Sequence, residues 1–186
     1  MNALKLTLGI AILTIFATSC TSVSSTKKPG VSLSDGYRSA RLVESSQHLH
    51  DNGSEGSAEV HNAIQRSIRN QFKTRGLLYG VPNADLVVAY MLIRQENGAT
   101  TMNADHFGQG RNANAIVEEA RQRGIIKNNQ PQSLKSGTLV IDIIDAKTNK
   151  LIFRNQTTRE LIGGVKPVQR SARINEAIAQ TLAPFF

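Results

Sequence analysis

Two apolar runs set the tightest limit on what this chain can fold into. Asp85–Arg94 (DLVVAYMLIR) is apolar at every position between its two charged ends. A strand facing water on one side alternates in polarity, so an unbroken run reads as a central strand covered on both faces or nearly so. Thr138–Asp145 (TLVIDIID) and Leu151–Leu161 (LIFRNQTTREL) follow as a hairpin around Ala146–Asn149. Asp145 can bond its own turn backbone, and Asn149 tolerates the left-handed conformation such turns need. The strand after the turn becomes polar, as an exposed or edge strand does.

The remaining pattern is helical. In Glu59–Arg75, Val60, Ala63, Ile64, Ile68 and Phe72 recur at spacings of three and four and share one face. Ser57 is the expected N-cap, Glu59 and the basic residues Arg69–Arg75 suit the two ends of the helix dipole, and Gly76 is the stop. Ser171–Leu182 (SARINEAIAQTL) is a closing helix with Ile174, Ile178 and Leu182 on one stripe and Pro184 beyond it. Tyr37–Glu44 can form a first strand. These elements predict an α+β fold: a two-layer sandwich of two main helices on a mostly antiparallel sheet of about four strands. Residues 95–135 form an irregular insert without strand pattern, carrying one helix around Asn114–Arg123. A connection of that length marks function or disorder.

The N-terminus has a different character. Lys5 precedes Leu6–Ala17 (LTLGIAILTIFA), which carries no charge and is too short to span a bilayer. Thr18, Ser19 and then Cys20, the chain's one cysteine, follow. That is the layout of a secretory signal with a thiol at its boundary. Ala17–Cys20 resembles the bacterial lipobox, in which the thiol receives a diacylglycerol and becomes the mature N-terminus; Ala17 stands where Leu is commonest. Thr21, where inner-membrane retention would use Asp, directs such a protein to the outer membrane by resemblance to enterobacterial sorting rules. The expected organisation is therefore a signal peptide at 1–19, a flexible tether at 20–36, and a single α+β domain at 37–186. The tether is rich in Ser, Thr, Lys and Gly and lacks apolar periodicity. With one cysteine, no internal disulfide can brace the domain.

The net charge of +8 raises a nucleic-acid reading. Yet there is no Trp and aromatics are 5%, which removes a stacking platform for bases. An exported protein meets other anions, in phospholipid, lipopolysaccharide and peptidoglycan. Arg66, Arg69, Lys73 and Arg75 form the densest basic group and are the candidate anion-binding residues; scattered charge elsewhere reads as solvated surface. No specific nucleic-acid partner is expected.

Catalytic constellations are weak. His48-x-His50-Asp51 could suggest metal ligands, but only isolated His61 and the Asp105-His106 pair accompany it, so neither metal nor cofactor is expected. There is no G-x-S-x-G elbow and no Walker loop, and Gly108-Gln109-Gly110 follows no clear strand. His61 is placed on a helix face away from Val60, Ile64 and Ile68, hence in water. Asp142 interrupts an apolar strand, and burying an unpaired carboxylate is costly. It should therefore face solvent or pair with a cross-strand partner such as Arg154.

Ala84–Tyr90 (ADLVVAY), Gly137–Phe153 (GTLVIDIIDAKTNKLIF) and Arg173–Leu182 (RINEAIAQTL) resemble domain-of-unknown-function family four-one-three-six, uncharacterised bacterial envelope lipoproteins. The helix Val60–Gly76 fits as well. The resemblance implies a membrane-attached α+β domain without known catalysis, cofactor or metal. Asn149 stands at a turn position often held by Gly, and Phe153-Arg154-Asn155 replaces a common Trp-Arg-Gly. The expected function is a non-enzymatic binding or accessory role in the cell envelope. Palmitoylated Cys20 would attach the protein to the outer membrane, facing the periplasm, with an envelope protein or polymer as partner. The alternatives are a hydrolase of envelope polymer using His61, Asp105 or His106, and a weak binder of anionic polymers through the basic residues.

Overall fold

The structure, a computed structural model, describes residues 32–44, 55–96, 99–103, 107, 112–126 and 135–186. The expected signal peptide, Cys20, most of the tether, His48, His50, Asp51, Asp105, His106, Gly108 and Gly110 lie outside the described residues.

In chain order the elements are β1 (Ser39–Leu42), α1 (Glu55–Thr74), β2 (Leu78–Tyr79), β3 (Leu86–Glu96), β4 (Ala99–Asn103), α2 (Ala113–Gln122), β5 (Ser136–Asp145), β6 (Lys150–Glu160) and α3 (Pro167–Leu182). The class is α+β as expected, but the sheet is larger and mixed. It has six strands in the order β2-β1-β3-β5-β6, with β4 also paired to β3. β1 runs parallel to both β2 and β3, whereas β3, β4, β5 and β6 pair antiparallel. The reason is the crossover: β1 feeds α1, and a helix between two strands returns the chain in the same direction. β1 and β4 occupy the same edge of β3 in succession, the first opposite Leu86–Val88 and the second opposite Leu92–Glu96.

β3 is covered on both faces. Leu86, Val88 and Tyr90 pack with Ile64, Ile68 and Phe72 of α1, Ile178 and Leu182 of α3, and Phe153 and Phe185. Ala89, Met91 and Ile93 face the other way, into Val140 and Ile144 of β5, Ile116, Val117 and Ala120 of α2, and Phe107 and Ile126. The arrangement therefore corrects the two-layer expectation: α2 covers a second face that two helices alone would leave bare. The insert, read as lacking strands, contributes both α2 and the short strand β4. Asn112 caps α2, its side chain accepting from the Ala115 N–H at 3.0 Å.

Element boundaries moved in three places. α1 begins at Glu55, so Ser57 lies inside the helix and is not its N-cap. α3 begins at Pro167, where the missing N–H of proline costs no helical bond. Of the stretch read as tether, Ser32–Gly36 forms a turn fastened to the body. The Ser34 N–H donates to the Phe185 carbonyl at 3.2 Å and Ser32 Oγ donates to the same oxygen at 3.0 Å. Gly76, with φ +83, ends α1 as read, and Asn149, with φ 53, makes the hairpin turn while Asp145 accepts from the Thr148 N–H at 2.7 Å.

The domain has two poles. At one, the Ser32–Gly36 turn meets the starts of β1 and β3, the β5–β6 turn, and the ends of α1 and α3. Tyr37 Oη there donates to Asp145 at 2.9 Å, and the Ala146 N–H donates to the Asp85 carbonyl. At the other pole, Arg170 pairs with Glu59, Arg173 donates to the Glu160 carbonyl, and the Leu161 N–H donates to the Lys135 carbonyl. There the helix N-termini meet the ends of β3 and β6.

Candidate functional site

The strongest departure from a plain apolar core is on the α2 face. Asp142 of β5 and Arg154 of β6 are direct cross-strand partners and so share one face of the sheet. Asp142 is completely buried. Arg154 Nε donates to Asp142 Oδ1 and Nη2 to Oδ2, each at 2.7 Å. This fork-to-fork contact is the strongest form of charged hydrogen bond. The hydrogen bond to Asp142 is the first cause holding the Arg154 pKa above its ordinary value, and burial opposes it. The pairing expected for Asp142 is present; the alternative of a solvent-facing carboxylate is not.

Arg154 also reaches α2. Its Nη1 lies 3.9 Å from Glu119 Oε2, and its guanidinium carbon lies 6.0 Å from the centre of the Phe107 ring. Ile116, Glu119, Ala120, Arg123, Arg154 and Gln156 border a cleft with about 20 Å³ of room. That admits about one water, far below the several hundred Å³ of a small-molecule site. With both Asp142 oxygens bound to one guanidinium, the carboxylate is placed to hold β5, β6 and α2 together.

A second polar group lies on the opposite face. Tyr90, fully buried on β3, has its hydroxyl 2.8 Å from His61 Nδ1, and Gln65 Nε2 donates to it at 3.3 Å. The His61 and Tyr90 rings are 5.7 Å apart. His61 is half-buried, which corrects the expectation that it is solvated. Its spacing of three, four and seven from Ile64, Gln65 and Ile68 could have shown this, since those intervals share a helix face.

The basic residues chosen from the sequence do not gather at either place. Arg66, Arg69 and Lys73 stand exposed along the outer side of α1, and Arg75 follows its last residue. The Arg75 guanidinium carbon sits 5.2 Å from the centre of the Phe186 ring. Nearby, the buried Tyr79 hydroxyl has no hydrogen-bond partner among the described residues; burial raises its pKa while the Arg69 charge opposes the shift. Among the described residues, no group of three or more His, Cys, Asp or Glu is placed to hold a metal ion. No described helix is long and apolar enough to cross a membrane.

Sequence reasoning missed Phe107 and Glu119 as parts of the Asp142–Arg154 assembly. Phe107 had no local signal, being a lone aromatic in a polar stretch. Glu119 belongs to an amphipathic helix whose apolar side, Ile116, Val117 and Ala120, did mark it as half-covered.

Comparison with known proteins places the chain in a family. Residues 24–185 match the model described as "Domain of unknown function (DUF4136)", and the chain belongs to that family. No curated protein matches it. Among solved structures it is similar to the PelC dodecamer from Paraburkholderia phytofirmans, at 12% identity and a TM-score of 0.43, covering 89% of this chain and 97% of that one. It is also similar to a PDZ domain protein from Parabacteroides distasonis, at 14% identity and a TM-score of 0.43. That match covers 80% of this chain but spans about a third of the other, 32%.

Proposed function

We propose that this chain is an exported lipoprotein, held to the periplasmic face of the outer membrane by acylated Cys20, whose domain recognises another envelope component without catalysis. The observation that carries the reading is the position of Cys20. It closes an uncharged apolar run and stands just ahead of residue 24, where the family match begins. The signal-like segment and the folded domain are thus separate stretches of chain. Acyl chains contribute about 0.8 kcal/mol per buried methylene, so a multiply acylated cysteine anchors stably without a spanning helix.

Recognition is assigned to the pole away from the Ser32–Gly36 turn. Ile162 and Val168 are 58% and 81% exposed there, beside Leu161, which lies over Gly137 so closely that a Cβ would come within 3.0 Å of its Cδ2. β6, an edge of the described sheet, ends at the same pole. Exposed apolar groups beside an edge strand suit a protein partner more than a polysaccharide.

The test has two readouts. Intact mass of the native protein should show a mature start at Cys20 carrying acyl chains; a bare thiol or another start overturns the anchoring. Crosslinking in intact envelopes should capture a partner that is lost in Ile162→Asp with Val168→Asp. Capture unchanged by those substitutions removes this pole as the recognition surface.

A further inference from the structure

We propose that the pole bearing the Ser32–Gly36 turn carries a cationic corner, Arg38, Lys73 and Arg75 around the protruding Leu78, that lies against the anionic phospholipid surface to which the chain is anchored. The inference rests on the membrane-attached reading for its biological setting, while its geometry stands on the domain alone.

The corner is contiguous. The Ser32–Gly36 turn bonds to Phe185, Phe185 stacks beside Phe186 with ring centres 5.2 Å apart, and Arg75 sits over Phe186. Lys73 precedes Arg75 by two residues at the end of α1. The Leu78 N–H donates to the Arg38 carbonyl at 2.9 Å, which sets the edge strand β2 beside the start of β1. Leu78 is 65% exposed, an apolar side chain of insertion size on the same corner as the exposed Arg38, Lys73 and Arg75.

Several cations elsewhere on the surface have carboxylates: Arg94 and Lys135 share Glu96, Arg121 meets Glu118, Arg123 meets Glu119, and Arg170 meets Glu59. Among the described residues, Arg38, Lys73 and Arg75 have no ion pair. The carboxylates at this pole take their hydrogen bonds from neutral donors, and the Arg38 charge acts on Asp85 at longer range. Asp85 Oδ2 accepts from the Arg38 N–H at 2.8 Å, the Ser39 N–H at 3.0 Å and Ser39 Oγ at 2.9 Å. Asp145 accepts from Thr148 and Tyr37, and Asp35 from the Ser32 N–H. Three exposed cations without a close ion pair, on the same corner as an exposed leucine, are complementary to a phosphate-rich surface with an apolar interior.

The chain length permits the contact. Eleven residues lie between Cys20 and Ser32, so an acylated Cys20 holds this pole within about 40 Å of the bilayer even with the chain fully extended over those twelve steps. Such tethering converts weak headgroup attraction into a defined orientation, with the Ile162–Val168 pole facing away.

The experiment uses the full exported chain carrying Cys20→Ser, so that no acyl chain contributes, and sedimentation with vesicles. On vesicles of phosphatidylcholine containing phosphatidylglycerol, binding at low salt and its loss at raised salt are expected; on phosphatidylcholine alone, little binding is expected. Each basic residue near an anionic surface contributes about five-fold in affinity, so the triple variant Arg38→Gln, Lys73→Gln, Arg75→Gln should bind about 100-fold more weakly. Its thermal midpoint by circular dichroism should match that of the parent. The control Arg121→Gln with Lys166→Gln, away from this corner, should bind as the parent does. No binding to the anionic vesicles, equal binding to both vesicle types, an unaffected triple variant, or an equal loss in the control overturns the proposal. Acylation is read independently from the mass of the native chain. A bare Cys20 together with a defective triple variant would remove the anchor and leave the corner standing.

Discussion

The two faces of the sheet are held by different physics. On the α1–α3 face the contacts are aromatic and aliphatic: Phe72 lies 6.1 Å from Phe185 and 5.2 Å from Phe186, and Phe153 lies 5.4 Å from Phe185. Two long helices close it. On the α2 face one ten-residue helix meets Ala89, Met91 and Val140, with the Asp142–Arg154 pair set among them. Apolar area stabilises the first face at nearly any geometry that excludes water, whereas the second depends on one bidentate contact being complete. A short helix bringing three small or medium apolar residues has little area to offer, and the charge pair supplies geometric definition that area alone does not.

The comparison is broken most severely from the aromatic side. Phe72→Ala should cost about 4 kcal/mol through the lost transfer energy and the cavity left behind. Urea unfolding followed by circular dichroism should show the midpoint fall accordingly. Arg154→Ala comes next, at about 3 kcal/mol, because it removes the bidentate partner of a fully buried carboxylate. Here the two faces part company. Replacing both partners, Asp142→Leu with Arg154→Met, should return most of that stability, since no buried charge remains. A double variant as unstable as Arg154→Ala would show that packing, and not the buried charge, sets the cost.

Smaller effects sharpen the contrast. Tyr90→Phe removes the hydroxyl facing His61 and Gln65 and should cost about 1 kcal/mol in the same assay. On the acid limb, carboxylates at both poles contribute: Asp85 and Asp145 at the first, and Glu96 at the other, whose carboxyl the Lys135 hydrogen bond holds below its usual range. The Asp85 carboxyl is held below its usual range, first by the Arg38 backbone N–H, and Asp145 likewise, first by the Thr148 backbone N–H. A depressed folded pKa contributes stability that is present above the unfolded carboxyl value and lost as pH falls through the folded one. Asp85→Asn should therefore flatten the decline in thermal midpoint below about pH 4 while shifting it less at neutral pH. An unchanged acid limb would remove Asp85 from that role.

How much of this was legible follows from the length and regularity of each element. β3, the β5–β6 hairpin, α1 and α3 announce themselves because ten or more residues repeat one pattern. Asn149 fixed the turn because few residues accept positive φ. β2 is two residues, Leu78–Tyr79, too short for any period to be read. β4 (ATTMN) sits in a polar insert and owes its conformation to pairing with Leu92–Glu96. The parallel β1–β3 pairing was implicit in the strand–helix–strand order, but a sandwich of hairpins fits the same pattern. For the polar groups, the turn alone would set Phe153 opposite Asp142; a register shift between Ile143 and Ile144 brings Arg154 there instead, and the turn chemistry does not announce that shift. Phe107 and Glu119 come from a segment with no pairing rule to place them.

β3 has a further consequence. Tyr90 points into one compartment and Met91, its neighbour along the backbone, into the other, so one peptide plane is the wall of both. Neither interior can loosen while the other keeps its shape, however unlike their contents. Calorimetry should record one event, its measured enthalpy equal to the one inferred from its sharpness, where independent halves would melt in succession.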